Sequence, residues 1–370
     1  MSLIVALEFA SRTALGFDTT ITCIVQGDSR VEPVYRIQVP VQQVPPVGDP
    51  EFRLFETQGL LSDVGAEAFR GRGTRVWRVR EVVNGNTVGP DMVLKDCFID
   101  ADRKREGDTL REIVDSLAED DKRRLHFLTV EVHGDVYVDN HLDNTDAIHH
   151  GKHCPSGSPC IDTGVIANEL QPLARGYFVT PLTPNSGTGI PFILPVAASF
   201  VSSRSRQNRQ HYRIVFKEVG TAVSELGNRH DMFLAIRGAA AGMYKPNHSF
   251  GLVLIVGGFL AIEVMHSLGY VHRDISCGNV LLVKRPGLSP SDPPKHVGVL
   301  TDLEYAIKLG SSLRAHHIRT GTPFFMACEV AANKYLALYG NAYYSGNPPP
   351  FCYNRLHGPL CIVSVFVNFY

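Results

Sequence analysis

The stretch HSLGYVHRDISCGNVLLV, residues 266–283, decides the fold of this chain. At its centre is the spacing H-R-D-x-x-x-x-N, in which His272, Arg273 and Asp274 are followed by Asn279. The residues before this spacing favour a helix, and VLLV after it favours a buried strand. A carboxylate such as Asp274 can accept or orient the proton of a hydroxyl group. The amide oxygen of Asn279 suits a hard cation, so the stretch predicts a catalytic loop with an acid beside a cation ligand.

A second acidic position lies in VLTDLE, residues 299–304. Its apolar strand ends at Asp302, which comes 28 residues after Asp274. Protein kinases place a metal-binding carboxylate at this point, in the motif D-F-G. Here the carboxylate is kept, whereas Leu303 and Glu304 replace the Phe and the Gly. Asp302 is therefore a predicted metal ligand.

The stretch GTPFFMACE, residues 321–329, lies where a kinase has the end of its activation segment. It has A-C-E in place of A-P-E, and Glu329 is expected to pair with an arginine of the second lobe. Thr320 and Thr322 supply hydroxyl groups beside the substrate groove. Both are either ordinary turn residues or, in the case of Thr320, a regulatory phosphorylation site.

A lysine on a strand and a glycine-rich turn are expected upstream of such a loop. The segment MVLK, residues 92–95, supplies Lys95 in the context of the kinase motif V-A-I-K. Glycine lets the backbone approach a ligand closely. The segment FRGRGTRV therefore supplies the candidate phosphate-covering residues, which are Gly71, Gly73, Thr74 and Val76.

An amphipathic helix is predicted within residues 101–125, because apolar residues recur there at helical spacing. Lys95 needs an acidic partner from this helix. Glu106 is the first choice and Glu112 is the second, although either residue also suits a solvated helix face.

Together these residues resemble the fungal-type protein kinase family, a divergent branch of the protein kinase-like fold. Ser276, in HRDIS, is typical of that branch, whereas most serine/threonine kinases have a lysine at this position. The segments that carry the resemblance are GRGTRVW (71–77), VLKD (93–96), HYRIVFKEVG (211–220), HSLGYVHRDISCGN (266–279), LTDLEYA (300–306) and GTPFFMACEV (321–330).

The resemblance implies an α+β, bilobal kinase-like fold, with an antiparallel N-lobe sheet plus one helix, a hinge near residues 218–220 and a helical C-lobe. It implies ATP and Mg²⁺ as ligands and the Ser/Thr hydroxyl groups of proteins as acceptors. The residues that it makes catalytic are Asp274, Lys95, Arg273 and His272. Those that it assigns to nucleotide binding are Gly71, Gly73, Thr74, Val76, Lys95, Glu106 and Glu218, and the metal ligands are Asn279 and Asp302.

We expect four regions along the chain: an N-terminal extension with strands at 1–60, the N-lobe at 61–220, a partial C-lobe at 221–357 and an aberrant tail at 358–370. Residues 126–210, rich in His, Asn, Ser, Gly and Pro, are predicted to form an insertion of loops and short strands. Asn84-Gly85 between two β-rich runs predicts a hairpin, with a loop of more than two residues.

Two segments depart from the family pattern. Residues 243–258 (MYKPNHSFGLVLIVGG) place Pro246 and Gly251 in a helix that would otherwise lead into HRDIS, and we interpret them as an aberrant insertion such as an unspliced intron. From residue 358 the chain leaves the pattern of the central C-lobe helix. The C-lobe is therefore expected to be incomplete, and the loss of apolar packing weakens the expectation of turnover.

Composition excludes several function classes. The 370 residues suffice for two lobes around a cleft. With Lys+Arg 36 against Asp+Glu 37 the formal net charge is -1, so no overall field attracts nucleic acid or anionic lipid. The apolar run at 250–262 is shorter than the roughly 20 residues of a spanning helix. We expect no nucleic acid and no membrane as partners, while the protein substrate and the oligomeric state stay open.

Eight cysteines at wide spacings favour a reduced protein that is intracellular, in the cytoplasm or the nucleus. The first residues lack the basic start and the cleavage site of a secretory signal. The segment HHGKHCPSGSPC, residues 149–160, suggests zinc, but its Cys-x5-Cys spacing does not match structural zinc sites, and a flexible insertion is preferred.

Three functions stay open at this point. The first is a protein Ser/Thr kinase. The second is a small-molecule phosphotransferase, which would share the acid and the Asn five residues later; Arg273 and GTPFFMA argue against it. The third is a catalytically dead pseudokinase or truncated remnant.

Overall fold

A computed structural model gives the fold of the chain. It describes residues 9–13, 15–25, 32–42, 51–63, 73–148, 208–228, 230–232, 234, 260–285, 295–310, 322, 325–327, 329–330 and 357.

Among the described residues, an antiparallel sheet of seven strands forms the first lobe. Its members are rich in β-branched and aromatic residues, which pack well on a pleated surface. They are β1 (Ile21–Val25), β2 (Val34–Pro40), β3 (Phe52–Ser62), β4 (Arg75–Val83), β5 (Asn86–Asp100), β6 (Val130–Asp135) and β9 (Arg209–Phe216). Their order across the sheet is β1-β2-β3-β4-β5-β9-β6.

Shorter elements surround the sheet and build the second lobe. The small sheets consist of β7 (Tyr137–Val138) with β8 (His141–Leu142), of β10 (Gly220–Ala222) with β12 (Val280–Arg285) and β13 (Lys295–Leu300), and of β11 (Tyr270–Val271) with β14 (Ile307–Lys308). In the part of the chain that the structure describes, the helices with defined bounds are α1 (Glu106–Asp115), α2 (Thr145–Ile148) and α3 (Leu260–Ser267), and 3-10 turns lie at Lys122–His126, Val223–Glu225 and Leu303–Tyr305.

The two faces of the large sheet have different surroundings. Because side chains alternate along a strand, Lys95 and Cys97 of β5 face α1, together with Tyr212 of β9. This face continues into a core that includes Ile262 of α3. The opposite face carries a second apolar cluster, built by Ile37, Val39, Phe55, Trp77, Val79, Met92, Leu94, Val132 and Val215.

Helix α1 is shorter than the segment 101–125 in which it was predicted. It begins at Glu106 and ends at Asp115, and the last charged residues of the segment form a 3-10 turn instead. Its buried residues include Leu110 and Ile113, which lie one turn apart on the face that meets the sheet. The helix therefore presents Glu106, in its first turn, to the same face of the sheet as Lys95.

The hairpin between β4 and β5 is tighter than the sequence suggests. Asn84 and Gly85 alone form the turn, with φ angles of 52° and 82°. Gly89 and Pro90, taken from the sequence as loop residues, lie inside β5, where the pairing register shifts and Gly89 has a φ of 74°. A bulge tolerates both residues, so the expected longer loop was wrong.

The structure also shows how the predicted regions meet. Residues 1–60, predicted as an N-terminal extension, contribute β1, β2 and β3 to the same sheet as β4 and β5. The predicted insertion at 126–210 begins with ordered structure, because β6 pairs with β9 in this sheet. The architecture is α+β and kinase-like: an antiparallel N-lobe sheet with α1 on one face, followed by the second lobe.

Candidate active site

Lys95 lies at the centre of a cluster of carboxylates. Its Nζ is 2.8 Å from Glu106 Oε2 and 2.6 Å from Asp302 Oδ1. Glu304 Oε2 is 3.8 Å from the same nitrogen. Burial lowers the pKa of Lys95, but the charges of Asp302 and Glu106 outweigh it and hold this pKa well above its usual value. Lys95 is therefore a fixed positive charge.

Glu106 joins two parts of the site. Its Oε2 contacts Lys95, while its Oε1 accepts a hydrogen bond of 3.0 Å from the backbone N–H of Leu303. Leu303 directly follows Asp302, so the position of α1 affects both the lysine and the acidic loop. The other predicted candidate, Glu112, is exposed and pairs with Lys104 and Lys308.

Asp274 is buried and held from two sides. Its Oδ1 accepts hydrogen bonds from Thr322 N at 2.9 Å and from Thr322 Oγ1 at 3.0 Å. Its backbone carbonyl accepts from Asn279 Nδ2 at 2.8 Å. With Nδ2 engaged in this way, Oδ1 of Asn279 is the side-chain atom left to bind a cation.

His272 and Arg273 support this loop from the inside. His272 Nε2 donates to Thr301 O at 2.9 Å, and its Nδ1 accepts from Asp274 N at 3.3 Å. Burial lowers the pKa of His272, so the ring is neutral at pH 7. His272 and Arg273 are both buried, which gives them a role in shaping the loop.

Two residues of the site adopt left-handed backbone conformations. The φ angle is 75° at Arg273 and 60° at Asp302. Positive φ is uncommon for residues other than glycine, and such conformations concentrate at functional sites. The surrounding hydrogen bonds keep Asp302 beside Lys95.

A cleft of about 660 Å³ lies between the two lobes. On the N-lobe side it is lined by Gly73, Thr74, Val76 and Lys95, and on the C-lobe side by Asn279 and Asp302. The structure thus brings most of the predicted nucleotide and metal residues to one cavity. Gly71 lies outside the described residues.

Glu218 lines the same cleft at the hinge. Its carboxylate accepts hydrogen bonds from Thr129 N at 2.8 Å and Thr129 Oγ1 at 2.7 Å, and it pairs with Arg285. The side chain therefore joins the hinge to β12.

Several contacts in the site go beyond what the sequence predicts. The sequence predicts Asp302 as a metal ligand, whereas the contacts of Glu304 and of the N–H of Leu303 are seen only in the structure. The sequence also predicts Thr322 beside a substrate groove, and the structure adds its hydrogen bonds to Asp274. The acidic third position of D-L-E was the available clue to Glu304, because a buried carboxylate near Asp302 requires a cation.

Among the described residues, Glu329 pairs with His357, whose Nε2 lies 3.0 Å from Glu329 Oε2. The expected pairing of Glu329 with an arginine of the second lobe stays a prediction. Cys277 is half-buried, and burial raises the pKa of its thiol. Thr320, the segment 149–160 and residues 243–258 lie outside the described residues. In the parts of the chain that the structure describes, no helix is long and apolar enough to span a bilayer.

A solved crystal structure of a kinase domain matches the chain with 10% sequence identity and a TM-score of 0.33. The match covers 75% of this chain, which spans 57% of the length of that chain. A search of curated proteins gives no match.

A family model described as fungal protein kinase matches residues 1–245 and 257–337. The break in the match falls within residues 243–258, which the sequence analysis set apart from the family pattern. The match extends over most of the sequence and includes both the cleft-lining lysine and the catalytic loop. The chain therefore belongs to the fungal protein kinase family.

Proposed function

We propose that the protein is an ATP-dependent Ser/Thr protein kinase, which transfers the γ-phosphoryl group of ATP to hydroxyl groups of protein substrates. The observation that carries this proposal is the convergence of Lys95, Asn279 and Asp302 on one cleft. Catalysis of phosphoryl transfer consists mostly of positioning and of neutralising charge. Lys95 supplies a fixed positive charge, and Asn279 and Asp302 supply two oxygen ligands. Together with the nearby Asp274, they provide both the positioning and the charge neutralisation.

The cleft suits a nucleotide in size and lining. Its volume of about 660 Å³ is in the range of small-molecule sites. Val76, Phe216 and Leu281 give it apolar walls. Thr74 Oγ1 has no hydrogen-bond partner among the described residues, which leaves this hydroxyl for a bound ligand. Gly73 has a φ of 57°, so the turn before β4 adopts a backbone conformation that residues other than glycine rarely take.

The donor set fits Mg²⁺. Among the described residues, no three His, Cys, Asp or Glu side chains form a metal cluster. Mg²⁺ is usually held by one or two carboxylates together with substrate phosphates, so Asp302 and Asn279 suffice. Bound Mg²⁺ would neutralise the negative charge of the phosphate groups. Asp302 is then shared between the metal and Lys95, and Glu106 keeps the lysine in place.

Asp274 is the group that orients the acceptor hydroxyl. The bonds from Thr322 fix its Oδ1, and its other carboxylate oxygen is left for the substrate. Thr322 itself lies directly against Asp274. The preference for Ser and Thr hydroxyl groups of a peptide rests on the family resemblance, to which Arg273 and the sequence GTPFFMA contribute.

The test compares the wild type with Asp274→Asn, using γ-phosphate-labelled ATP, Mg²⁺ and peptide libraries with Ser, Thr or Tyr at the centre. We expect labelling of the Ser and Thr libraries, and a fall of about 10²–10⁴-fold in the variant without a change in its thermal melt. Labelling of small hydroxyl compounds alone would establish a small-molecule phosphotransferase. A folded wild type that labels nothing would establish a pseudokinase.

A further inference from the structure

The first turn of α1 has no local cap. Arg105 occupies the N-cap position and makes no side-chain capping bond. The first four N–H groups of a helix lack partners within the helix. Here Gly107 N donates to the hydroxyl of Tyr212, in β9, at 3.0 Å. The sheet therefore supplies a capping acceptor for the helix.

The ring of His133, in β6, lies beneath the same turn. A Cβ atom at Gly107 would lie 2.4 Å from Cδ2, 2.5 Å from Cγ and 2.6 Å from Nε2 of this ring. Those distances are far inside van der Waals contact, so only glycine lets the helix approach so closely. His133 is fully buried and packs edge-on against Tyr212, with ring centroids 5.9 Å apart. We call these two rings the aromatic support.

The aromatic support acts next to Glu106. Glu106 precedes Gly107, so any shift of this turn moves the carboxylate that contacts Lys95 at 2.8 Å and Leu303 N at 3.0 Å. A displacement of about 1 Å in a catalytic arrangement can cost about 100-fold in rate. Helix position and the geometry of the cleft are thus linked through one glycine.

We propose that His133 and Tyr212 are positioning residues, which set the distance of α1 from the sheet and thereby hold Glu106 against Lys95 and the loop of Asp302. The catalytic part of this inference rests on the proposed kinase function. The structural part concerns the helix alone and has a readout of its own.

The first experiment replaces Gly107 by alanine and compares Gly227→Ala, at an open site, as the matched control. Helix propensity alone favours alanine. We nevertheless expect Gly107→Ala to lower the rate at saturating ATP by about 10-fold or more, because a small increase in the activation free energy is enough for a tenfold loss of rate. Hydrogen exchange in Glu106–Asp115 should accelerate in Gly107→Ala and stay unchanged in Gly227→Ala.

The double variant Gly107→Ala/His133→Ala removes the atoms that the new Cβ would meet. We expect it to recover part of the rate and of the exchange protection, because the new Cβ then occupies some of the space that the ring of His133 fills in the wild type. Where Gly107→Ala fails to fold, recovery of folding in the double variant supports the inference equally. Tyr212→Phe removes only the acceptor for Gly107 N and should accelerate exchange at the start of the helix.

Full rate and normal exchange in Gly107→Ala would overturn the inference, and so would an unrecovered double variant. A wild type that transfers no phosphate overturns the proposed function instead. In that case the exchange measurements still decide whether the aromatic support positions the helix.

Discussion

Among single residues, Lys95 and His211 show how buried charge is balanced in this protein. Glu106, Asp302 and Glu304 all approach Lys95, so the carboxylates outnumber the cation. Carboxylates that share a site repel one another unless positive charge is present. This surplus of negative charge supports the proposed binding of Mg²⁺ in the cleft. On the opposite face of the sheet, His211 is the basic residue that lies between two carboxylates.

His211 bridges two aspartates. Its Nε2 lies 2.6 Å from Asp96 Oδ1 and its Nδ1 lies 2.7 Å from Asp143 Oδ2. Burial lowers the pKa of His211, but the charge of Asp96 and the hydrogen bond to Asp143 outweigh it and raise this pKa to about 9. The folded state thus holds the proton more tightly than the unfolded state does.

The resulting stability is complete below about pH 6.5, the value of an ordinary histidine, and is lost as the pH rises through about 9. We predict that the free energy of unfolding of the wild type falls between these pH values by up to about 3 kcal/mol more than that of His211→Gln. Urea unfolding at several pH values measures the difference. Parallel curves for the two proteins would contradict the prediction.

Among the elements, the β4–β5 hairpin depends on two residues with positive φ. An L-residue in the left-handed region costs roughly 1–2 kcal/mol, and Gly85 has a φ of 82° with nothing within 4 Å of its missing Cβ. We predict that Gly85→Ala lowers the free energy of unfolding by about 1 kcal/mol through backbone conformation alone. Gly85→Asn is the matched control, because Asn tolerates this conformation better. Equal losses in the two variants would contradict the argument.

Elements and contacts differ in how far the sequence predicts them. The strands around Lys95 and the helix that carries Glu106 follow from β-rich and helical patterns, and the family pattern places the two residues on neighbouring elements. The contact of Thr322 with Asp274 spans 48 residues, and that of Arg213 with Asp18 spans 195. Such contacts depend on which sheet faces pack together, which a local pattern does not encode. The bulge at Gly89 was missed because Gly and Pro also mark loops.

At the scale of the whole molecule, the cleft belongs to both lobes, so a ligand that fills it should stabilise the entire fold. We predict that ATP with Mg²⁺, at 100 times the dissociation constant, adds about 2.7 kcal/mol to the free energy of unfolding. A thermal melt with ATP alone, Mg²⁺ alone and both together measures this effect. A melt that does not rise with both ligands would contradict the assignment of the cleft.

Arg213 also connects distant parts of the molecule. It is fully buried, bonds to Asp96 at 2.9 Å and pairs with Asp18, and its Nη1 donates to Thr20 Oγ1 and Gln38 O at 2.7 Å each. Neither Asp18 nor Asp96 has this cation until β9 has been made.

This has a consequence for synthesis on the ribosome. The 195 residues that separate Asp18 from Arg213 take about 10–40 s to translate. For that time β1 to β5 can pair with one another, but the buried Asp96 of β5 and the half-buried Asp18 before β1 still lack the arginine that neutralises them. The N-lobe therefore completes its folding late in translation, when β9 leaves the ribosome and joins the sheet.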